Sequence, residues 1–216
     1  MFSLLADGSP IAIMIIQSIV FISIWVSFHF YVSYRGPIRG ASTVTKFNSL
    51  FYSAASFLLL VLILSPTHDN IARQMYHASK FYEYIDIINV RASGGSIDLH
   101  FGFHHLTTPY LTFFRVLHHS EGWQIFAALN AFHHFLMYAY FGSVGMVRPV
   151  LPWTGTLQLV VGILVEMWMI REKSIGSMRD ATPNWIAGGI LVTYLILNTR
   201  DLIIRCREKQ TKLKET

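Results

Sequence analysis

The stretch that decides the fold runs from residue 100 to residue 138 and reads HFGFHHLTTPYLTFFRVLHHSEGWQIFAALNAFHHFLMY. It holds seven of the chain's ten histidines, in segments that are otherwise too apolar to lie in water. An ionisable side chain inside a membrane span is costly, so such residues usually face a bundle interior or a polar cavity. Histidine clusters on neighbouring apolar helices therefore predict a membrane protein with an interior polar site.

The composition of the whole chain supports this class. Of its 216 residues 53% are hydrophobic and only 13% are charged, whereas a globular domain carries about 25% charged residues. A helical span needs about 20 mostly apolar residues. We therefore expect an all-α, polytopic protein that forms one transmembrane domain over residues 1–216. Its seven predicted spans cover about residues 11–32, 47–64, 71–90, 99–117, 122–141, 153–170 and 185–204.

The distribution of basic residues predicts the orientation of these spans. Arg35, Arg39 and Lys46 follow the first span, and residues 205–216 form a basic tail on the same predicted face. Basic residues near span ends favour the cytosol, so we expect a cytosolic C-terminus. We expect the basic residues behind the net charge of +5 to contact lipid headgroups rather than nucleic acid. Lys212 and Lys214 resemble a dilysine signal for retrieval to the endoplasmic reticulum.

The third predicted span is the least apolar and carries Lys80, Glu83 and Asp86 at intervals of three residues. Embedded carboxylates beside a cation either stay ionised by pairing or shift their pKa and act as acids or bases. Lys80 and Glu83 are open to both interpretations, because an ion-paired strut explains them fully. Asp86 has no partner close in sequence and is the better candidate for orienting a histidine.

The fourth and fifth spans carry the histidines. His100 and His104 share one helix face, with His105 about 100° round. On span five, Asn130, His134 and Tyr138 follow one another at one-turn spacing and form a polar stripe, which is suited to binding a carbonyl or moving a proton, or to interhelical hydrogen bonding. We expect packing for His133. We expect solvated loop positions for the remaining histidines, namely His29, His68, His77, His118 and His119.

Several of these motifs, in order, resemble the ELO family of very-long-chain fatty acid elongases over about residues 45 to 205. Asn48-Ser49-Leu50-Phe51 is similar to an early asparagine block of the family. Four further family motifs have similar segments in this chain. KxxExxDT is similar to Lys80-x-x-Glu83-x-x-Asp86, and the end of HxxHH is similar to His104-His105. NxxxHxxMYxYY is similar to Asn130-x-x-x-His134-x-x-Met137-Tyr138-x-Tyr140, and TLQ to Thr156-Leu157-Gln158.

Besides Phe141, which stands in place of the last tyrosine of NxxxHxxMYxYY, the chain departs from the family pattern at two positions. Phe101 stands where HxxHH has its first histidine, and the nearest imidazole, His100, comes one residue early, which rotates it about 100° round the helix. Ile87 replaces the threonine that follows Asp86, so a hydroxyl is lost there. These departures leave open a change of substrate or a loss of activity.

The resemblance implies a fold and a reaction. It implies six of the seven helices closed in a ring around an acyl-chain tunnel, and a 3-ketoacyl-CoA synthase that condenses a long-chain acyl-CoA with malonyl-CoA. His104 would form an acyl-imidazole intermediate, His105 and His134 would stabilise the enolate or move protons, and Asn130 and Tyr138 would hold a carbonyl oxygen. Supporting roles fall to Lys80, Glu83, Asp86, His100, Met137, Tyr140 and Gln158.

The resemblance also implies surroundings for the site. No metal or other cofactor is required beyond the two CoA substrates. The expected partners are the lipid bilayer and the other enzymes of the elongation cycle, with no nucleic acid. Gly188 and Gly189 in the seventh span permit close helix contact and hence self-association.

The residues are also compatible with two other classes of function. His100-x-x-x-His104-His105 fits one histidine box of a di-iron membrane desaturase or hydroxylase, since imidazole suits iron. A catalytically inactive, lipid-binding relative is the third class, because of Phe101 and Ile87. The lone Cys206 excludes an internal disulfide and a thiolate metal cluster.

Overall fold

The computed structural model describes residues 10–117, 121–175 and 181–214, and within these ranges the chain is helical and contains no strand. Eight α-helices are present there. They are α1 (Pro10–Arg35), α2 (Ala41–Leu64), α3 (Asp69–Tyr82), α4 (Tyr84–Ala92), α5 (Leu99–Thr112), α6 (Trp123–Phe141), α7 (Leu151–Ser174) and α8 (Thr182–Lys214).

The third predicted span is two helices rather than one. The break falls at Glu83, which separates α3 from α4. The backbone amide of Glu83 still bonds to the carbonyl of Ser79, and the amide of Asp86 bonds to the carbonyl of Glu83, so backbone hydrogen bonding continues across the break. The break places a carboxylate-bearing residue at an interruption of the helix, fully inside the protein.

The fourth predicted span also ends irregularly. α5 contains Pro109, which supplies no backbone donor, and it passes at Phe113–Leu117 into a π-helical turn. The helix therefore widens locally just beyond Pro109. At the other end of the chain, the basic segment that we expected as a separate tail continues α8 as far as Lys214, since its residues are mostly good helix formers.

Within the described part of the chain, four helical segments are long and apolar enough to cross a membrane, and the chain is accordingly a multi-pass membrane protein. These segments are Ala12–Arg35, Ala41–Leu64, Gly145–Ser174 and Thr182–Glu208. The other three predicted spans correspond to α3 with α4, to α5 and to α6. They fall short in length or apolarity because they are interrupted or carry most of the polar residues described below.

The order of helix contacts positions those polar residues. α2 packs against α6, α6 against α7, α7 against α8, α8 against α5, α5 against α3, and α3 back against α2. α1 lies to one side and contacts α4 and α5. Small residues allow the close approaches: a Cβ atom on Gly162 of α7 would come within 2.7 Å of the Phe126 ring on α6.

Candidate functional site

Glu83 is the centre of a buried polar cluster and is fully excluded from solvent. Its Oε1 atom accepts a hydrogen bond from Lys80 Nζ at 2.6 Å and one from the Tyr52 hydroxyl at 2.9 Å. The Nδ1 atom of His134 lies 3.1 Å from the same oxygen. One carboxylate oxygen thus binds groups from α2, α3 and α6, which offsets the cost of burying its charge.

Asn130 is the second hub of the cluster. Its Oδ1 atom accepts hydrogen bonds from Lys80 Nζ at 2.9 Å and from the Tyr76 hydroxyl at 2.8 Å. Its Nδ2 atom donates to Gln158 Oε1 at 2.9 Å. Because its oxygen receives two donors and its nitrogen faces an acceptor, the orientation of the amide is determined.

The cluster also determines the tautomer of His134. Nδ1 faces the Glu83 carboxylate, which only accepts, so Nδ1 carries the proton. Nε2 lies 3.5 Å from the donor nitrogen of Asn130 and keeps its lone pair. A neutral imidazole held in this way has a basic nitrogen directed into the interior.

The histidine pair of α5 lies against this cluster. One ring nitrogen of His104, one ring nitrogen of His134 and one carboxylate oxygen of Glu83 all lie within 4.8 Å of one another. The His104 ring also lies 4.8 Å from the Tyr194 ring of α8 and 5.4 Å from that of His105. Of the described atoms, His105 Nδ1 is buried without a hydrogen-bond partner. Imidazoles from α5 and α6 therefore meet in one enclosed region, as the sequence predicted.

Asp86 contacts a phenol and not a histidine. Its Oδ2 atom accepts a hydrogen bond from the Tyr138 hydroxyl, and the Tyr138 ring meets the Tyr52 ring edge-on at 4.5 Å. Our expectation that Asp86 orients a histidine is corrected here, because Glu83, three residues earlier, faces His134 instead.

His100 belongs to a separate pair at the end of α5. Its Nδ1 atom lies 3.0 Å from Asp201 Oδ2 on α8, and both side chains are about a quarter exposed. Its ring stays 6.3 Å from that of His104. Met137 and Tyr140 are half-buried, and the Tyr140 ring packs 5.7 Å from Phe141.

The remaining histidines divide into three groups. His133 packs against Gly155 and bonds to Thr154 Oγ1 at 2.8 Å. His77, which we expected in a solvated loop, lies in α3, and its Nδ1 atom is 2.7 Å from Thr112 Oγ1 on α5. His29 and His68 are exposed, but His29 lies in the apolar helix α1 and not in the loop that we expected. His118 and His119 lie outside the described residues.

Two buried tyrosines in the cluster were missed by the sequence reasoning. Tyr76 donates to Asn130 and Tyr52 donates to Glu83, and both are at most 5% exposed. For Tyr76 a signal existed: Tyr76, Lys80 and Glu83 follow the helical spacing of one face. For Tyr52 the sequence offers only its position one turn after Asn48.

A second buried network at the opposite end of the helices was also missed. Arg115 Nε donates to Glu166 Oε1 at 2.5 Å, and Asn184 Nδ2 donates to Glu166 Oε2 at 2.7 Å. Arg115 also donates to the carbonyl of Glu121 at 3.0 Å. This network joins the π-helical turn to α7 and α8.

Fold and site together define a class: a multi-pass helical membrane protein with an enclosed site of histidines, a carboxylate and amides. The model of the GNS1/SUR4 (ELO) family matches residues 65–202. The chain belongs to this family, whose members are generally fatty acid elongases. Neither a curated protein nor a solved structure matches the chain.

Proposed function

We propose that this protein is the condensing enzyme of fatty acid elongation, a 3-ketoacyl-CoA synthase that joins a long-chain acyl-CoA to malonyl-CoA. The observation that carries the proposal is the convergence of His104, His134 and Glu83 within 4.8 Å, in the interior of a protein of this family. Acyl transfer needs a nucleophile, a proton carrier and donors for a developing oxyanion. These residue types supply all three.

The first step is acyl transfer to an imidazole. A ring nitrogen of His104 attacks the thioester carbonyl carbon, a C–N bond forms, and the C–S bond breaks to release the CoA thiolate, which takes up a proton. His134 carries its proton at Nδ1, against Glu83, and its Nε2 meets only the long 3.5 Å contact from Asn130, so it is placed to carry protons. His105 lies beside His104 and shares this role.

The second step forms the new carbon–carbon bond. Malonyl-CoA loses CO2, and the resulting enolate carbon attacks the acyl-imidazole carbonyl, so that the C–N bond breaks and His104 is regenerated. The products are 3-ketoacyl-CoA, CO2 and CoA. The oxygen on which charge develops is stabilised by the second N–H of the Asn130 amide, whose first N–H is donated to Gln158, and by the Tyr138 hydroxyl once it turns away from Asp86. No metal or further cofactor enters these steps.

The helix order agrees with an interior acyl site. Six successive helix contacts, from α2 through α6, α7, α8 and α5 back to α3, leave α1 outside. We propose that this is a ring of six spans around the acyl-chain tunnel, with seven spans in all and Lys80, Glu83, Asp86, His100, Met137, Tyr140 and Gln158 in supporting roles. The polar cluster then terminates the apolar part of that tunnel.

The cellular setting follows from charge and family. We propose the endoplasmic reticulum membrane, a cytosolic C-terminus, contacts with the other enzymes of the elongation cycle, and self-association. Arg39 lies near the end of the bundle that faces the cytosol in this orientation, where the CoA phosphates of both substrates arrive.

The decisive experiment uses the purified protein and acyl-CoA alone. Intact-mass analysis is expected to show one added acyl group, and peptide mapping is expected to place it on His104. Radiolabelled malonyl-CoA then gives 3-ketoacyl product and CO2. His104→Ala and His134→Ala abolish product formation, whereas His29→Ala, a change at an exposed histidine of α1, does not.

The outcome that contradicts the synthase is a well-folded protein without adduct, product or CO2 release. In that case the inactive lipid-binding relative is the better description.

A second candidate function is metal-assisted oxidation, as in the di-iron desaturases and hydroxylases. Glu83, His104 and His134 offer one ligand atom each at metal-binding separation. Against it, the Lys80 ammonium already lies 2.6 Å from the Glu83 oxygen and opposes a cation there. Stoichiometric iron in purified protein, lost together with activity on chelation, would favour this candidate, and full condensing activity after chelation would exclude it.

A further inference from the structure

A long apolar groove lies between α1 and the α3–α4 segment, outside the polar cluster. Its volume is about 410 Å³, within the range of about 300–1,000 Å³ of pockets that hold one ligand. Along α1 its wall runs from Ile13 to Trp25, a rise of about 18 Å along the helix axis. The opposite wall runs from Phe81 to Ile88. The shape is that of a single extended hydrocarbon chain.

The chemistry of the groove admits hydrocarbon. Two of its polar lining groups bond to each other, because the Tyr84 hydroxyl donates to Gln17 Oε1. The other lining residues are apolar except for the indole N–H of Trp25. Ile87 forms part of the wall and is 1% exposed, and Glu83 beyond it is fully buried. The groove is therefore walled off from the histidine cluster and opens towards the surroundings of α1, a helix apolar enough to span a membrane.

A basic site lies at one end of this groove. Arg91 follows Ile88 by one turn of α4, and its guanidinium donates to Gly95 O at 2.7 Å and to Ser33 Oγ at 3.2 Å. Among the described atoms its Nε is buried and has no hydrogen-bond partner. Arg35 is exposed at the end of α1.

This end of the groove has little negative charge to balance the arginines. α1 contains no acidic residue, the single acid of α4, Asp86, is bonded to Tyr138, and Asp98 at the start of α5 accepts the hydrogen bond that caps that helix from Phe101 N. An excess of positive charge beside an apolar groove fits an anionic headgroup with its chain.

We propose that the groove binds one acyl chain of an anionic phospholipid of the surrounding bilayer, with the lipid phosphate at Arg91 and Arg35. A chain in the bilayer is already in an apolar medium, so the hydrophobic effect does not drive the binding. Selectivity comes instead from close packing of the chain in a concave wall and from the phosphate–guanidinium contact. The site is separate from the acyl tunnel of the proposed condensation.

The test uses the full chain in nanodiscs that contain an anionic phospholipid with a photoreactive diazirine on one acyl chain. After illumination, peptide mapping is expected to place adducts on residues 13–25 and 81–88. Val20→Trp fills the groove and lowers the adduct yield about tenfold, which corresponds to about 1.4 kcal/mol. Ile19→Trp, a change at an exposed neighbour of α1 that does not line the groove, is the matched control and leaves the yield unchanged.

The headgroup is tested by competition. Unlabelled anionic phospholipid is expected to displace the probe at lower concentration than zwitterionic phospholipid with the same chains, and Arg35→Gln removes that difference. Arg91→Gln is expected to remove the same difference between the two phospholipids. Should the Arg91→Gln variant fail to fold, Arg35→Gln alone provides the test, because Arg35 is exposed.

Three results overturn the proposal. Adducts spread evenly over all faces of α1 indicate ordinary boundary lipid. Equal competition by the anionic and the zwitterionic phospholipid shows that the site has no preference for an anionic headgroup. Displacement by acyl-CoA but not by phospholipid makes the groove a substrate site.

Discussion

The Nδ1 atom of His134 on α6 lies 3.1 Å from the Oε1 atom of Glu83 at the break between α3 and α4. The same carboxylate oxygen binds the Lys80 ammonium. One carboxylate therefore holds the imidazole of one helix and neutralises the cation of another. Loss of its charge is expected to affect both stability and chemistry.

Glu83→Gln tests this dual role. The substitution keeps the shape but leaves the Lys80 ammonium buried without a counter-charge, and removing one partner of a buried pair costs about 3–5 kcal/mol. We expect a marked fall in the thermal unfolding temperature in detergent and loss of condensing activity. The double variant Lys80→Met/Glu83→Gln should recover much of the stability and none of the activity. Additive losses in the double variant would show that the two residues are not coupled.

Tyr52→Phe and Tyr76→Phe test the two tyrosines that donate to Glu83 and Asn130. Each change removes one buried hydrogen bond and retains the ring, which costs about 0.5–3 kcal/mol. We expect kcat of the condensation to fall, more for Tyr52 because its acceptor is charged, while KM changes little. Tyr110→Phe, on the α1 side of α5, is the control and should leave kcat unchanged. An equal fall in all three variants would indicate general loosening of the bundle.

His100→Asn and His104→Asn separate the two α5 histidines. His100 pairs with Asp201 and is partly exposed, whereas His104 faces Glu83 and His134. We expect a partial loss of condensing activity in His100→Asn, because its supporting role is indirect, and a complete loss in His104→Asn, with similar expression of both. Equal loss of activity and of bound iron in both variants would instead favour the histidine-box desaturase.

Asp69 provides a pH-dependent contribution at the far end of the bundle. Hydrogen bonding from Arg73 lowers the pKa of this carboxyl below its usual range, helped by a hydrogen bond from Trp123 and opposed by partial burial. A depressed pKa stabilises the fold above the unfolded value of about 3.9, and this stabilisation is lost as the pH falls through the lower folded value. Asp69→Asn should therefore lower the unfolding temperature at pH 7.

The pH dependence of that difference is the measurement. Unfolding followed in detergent at several pH values should show the gap between wild type and Asp69→Asn closing below about pH 4. The gap is small, since Asp69 is 44% exposed. Its persistence at the lowest pH would mean that the carboxylate charge contributes nothing.

Local patterns were sufficient to predict the helical class, most helix positions and the polar faces. The spacing of Lys80 and Glu83 and the Asn130–His134–Tyr138 stripe predicted which side chains share a face, because helical periodicity acts within one segment. Family motifs selected the same residues. These predictions hold without knowledge of how the helices pack.

Partners across helices depended on the tertiary structure. No spacing rule distinguishes Glu83 from Asp86 as the residue that faces His134, and the helix break at Glu83 decides between them. Likewise the Arg115–Glu166–Asn184 network joins residues far apart in the chain. Amino-acid order gives the faces of single helices, but the rotation and depth of each helix against its neighbours follow from packing of the whole bundle, and these alone bring particular atoms within bonding distance.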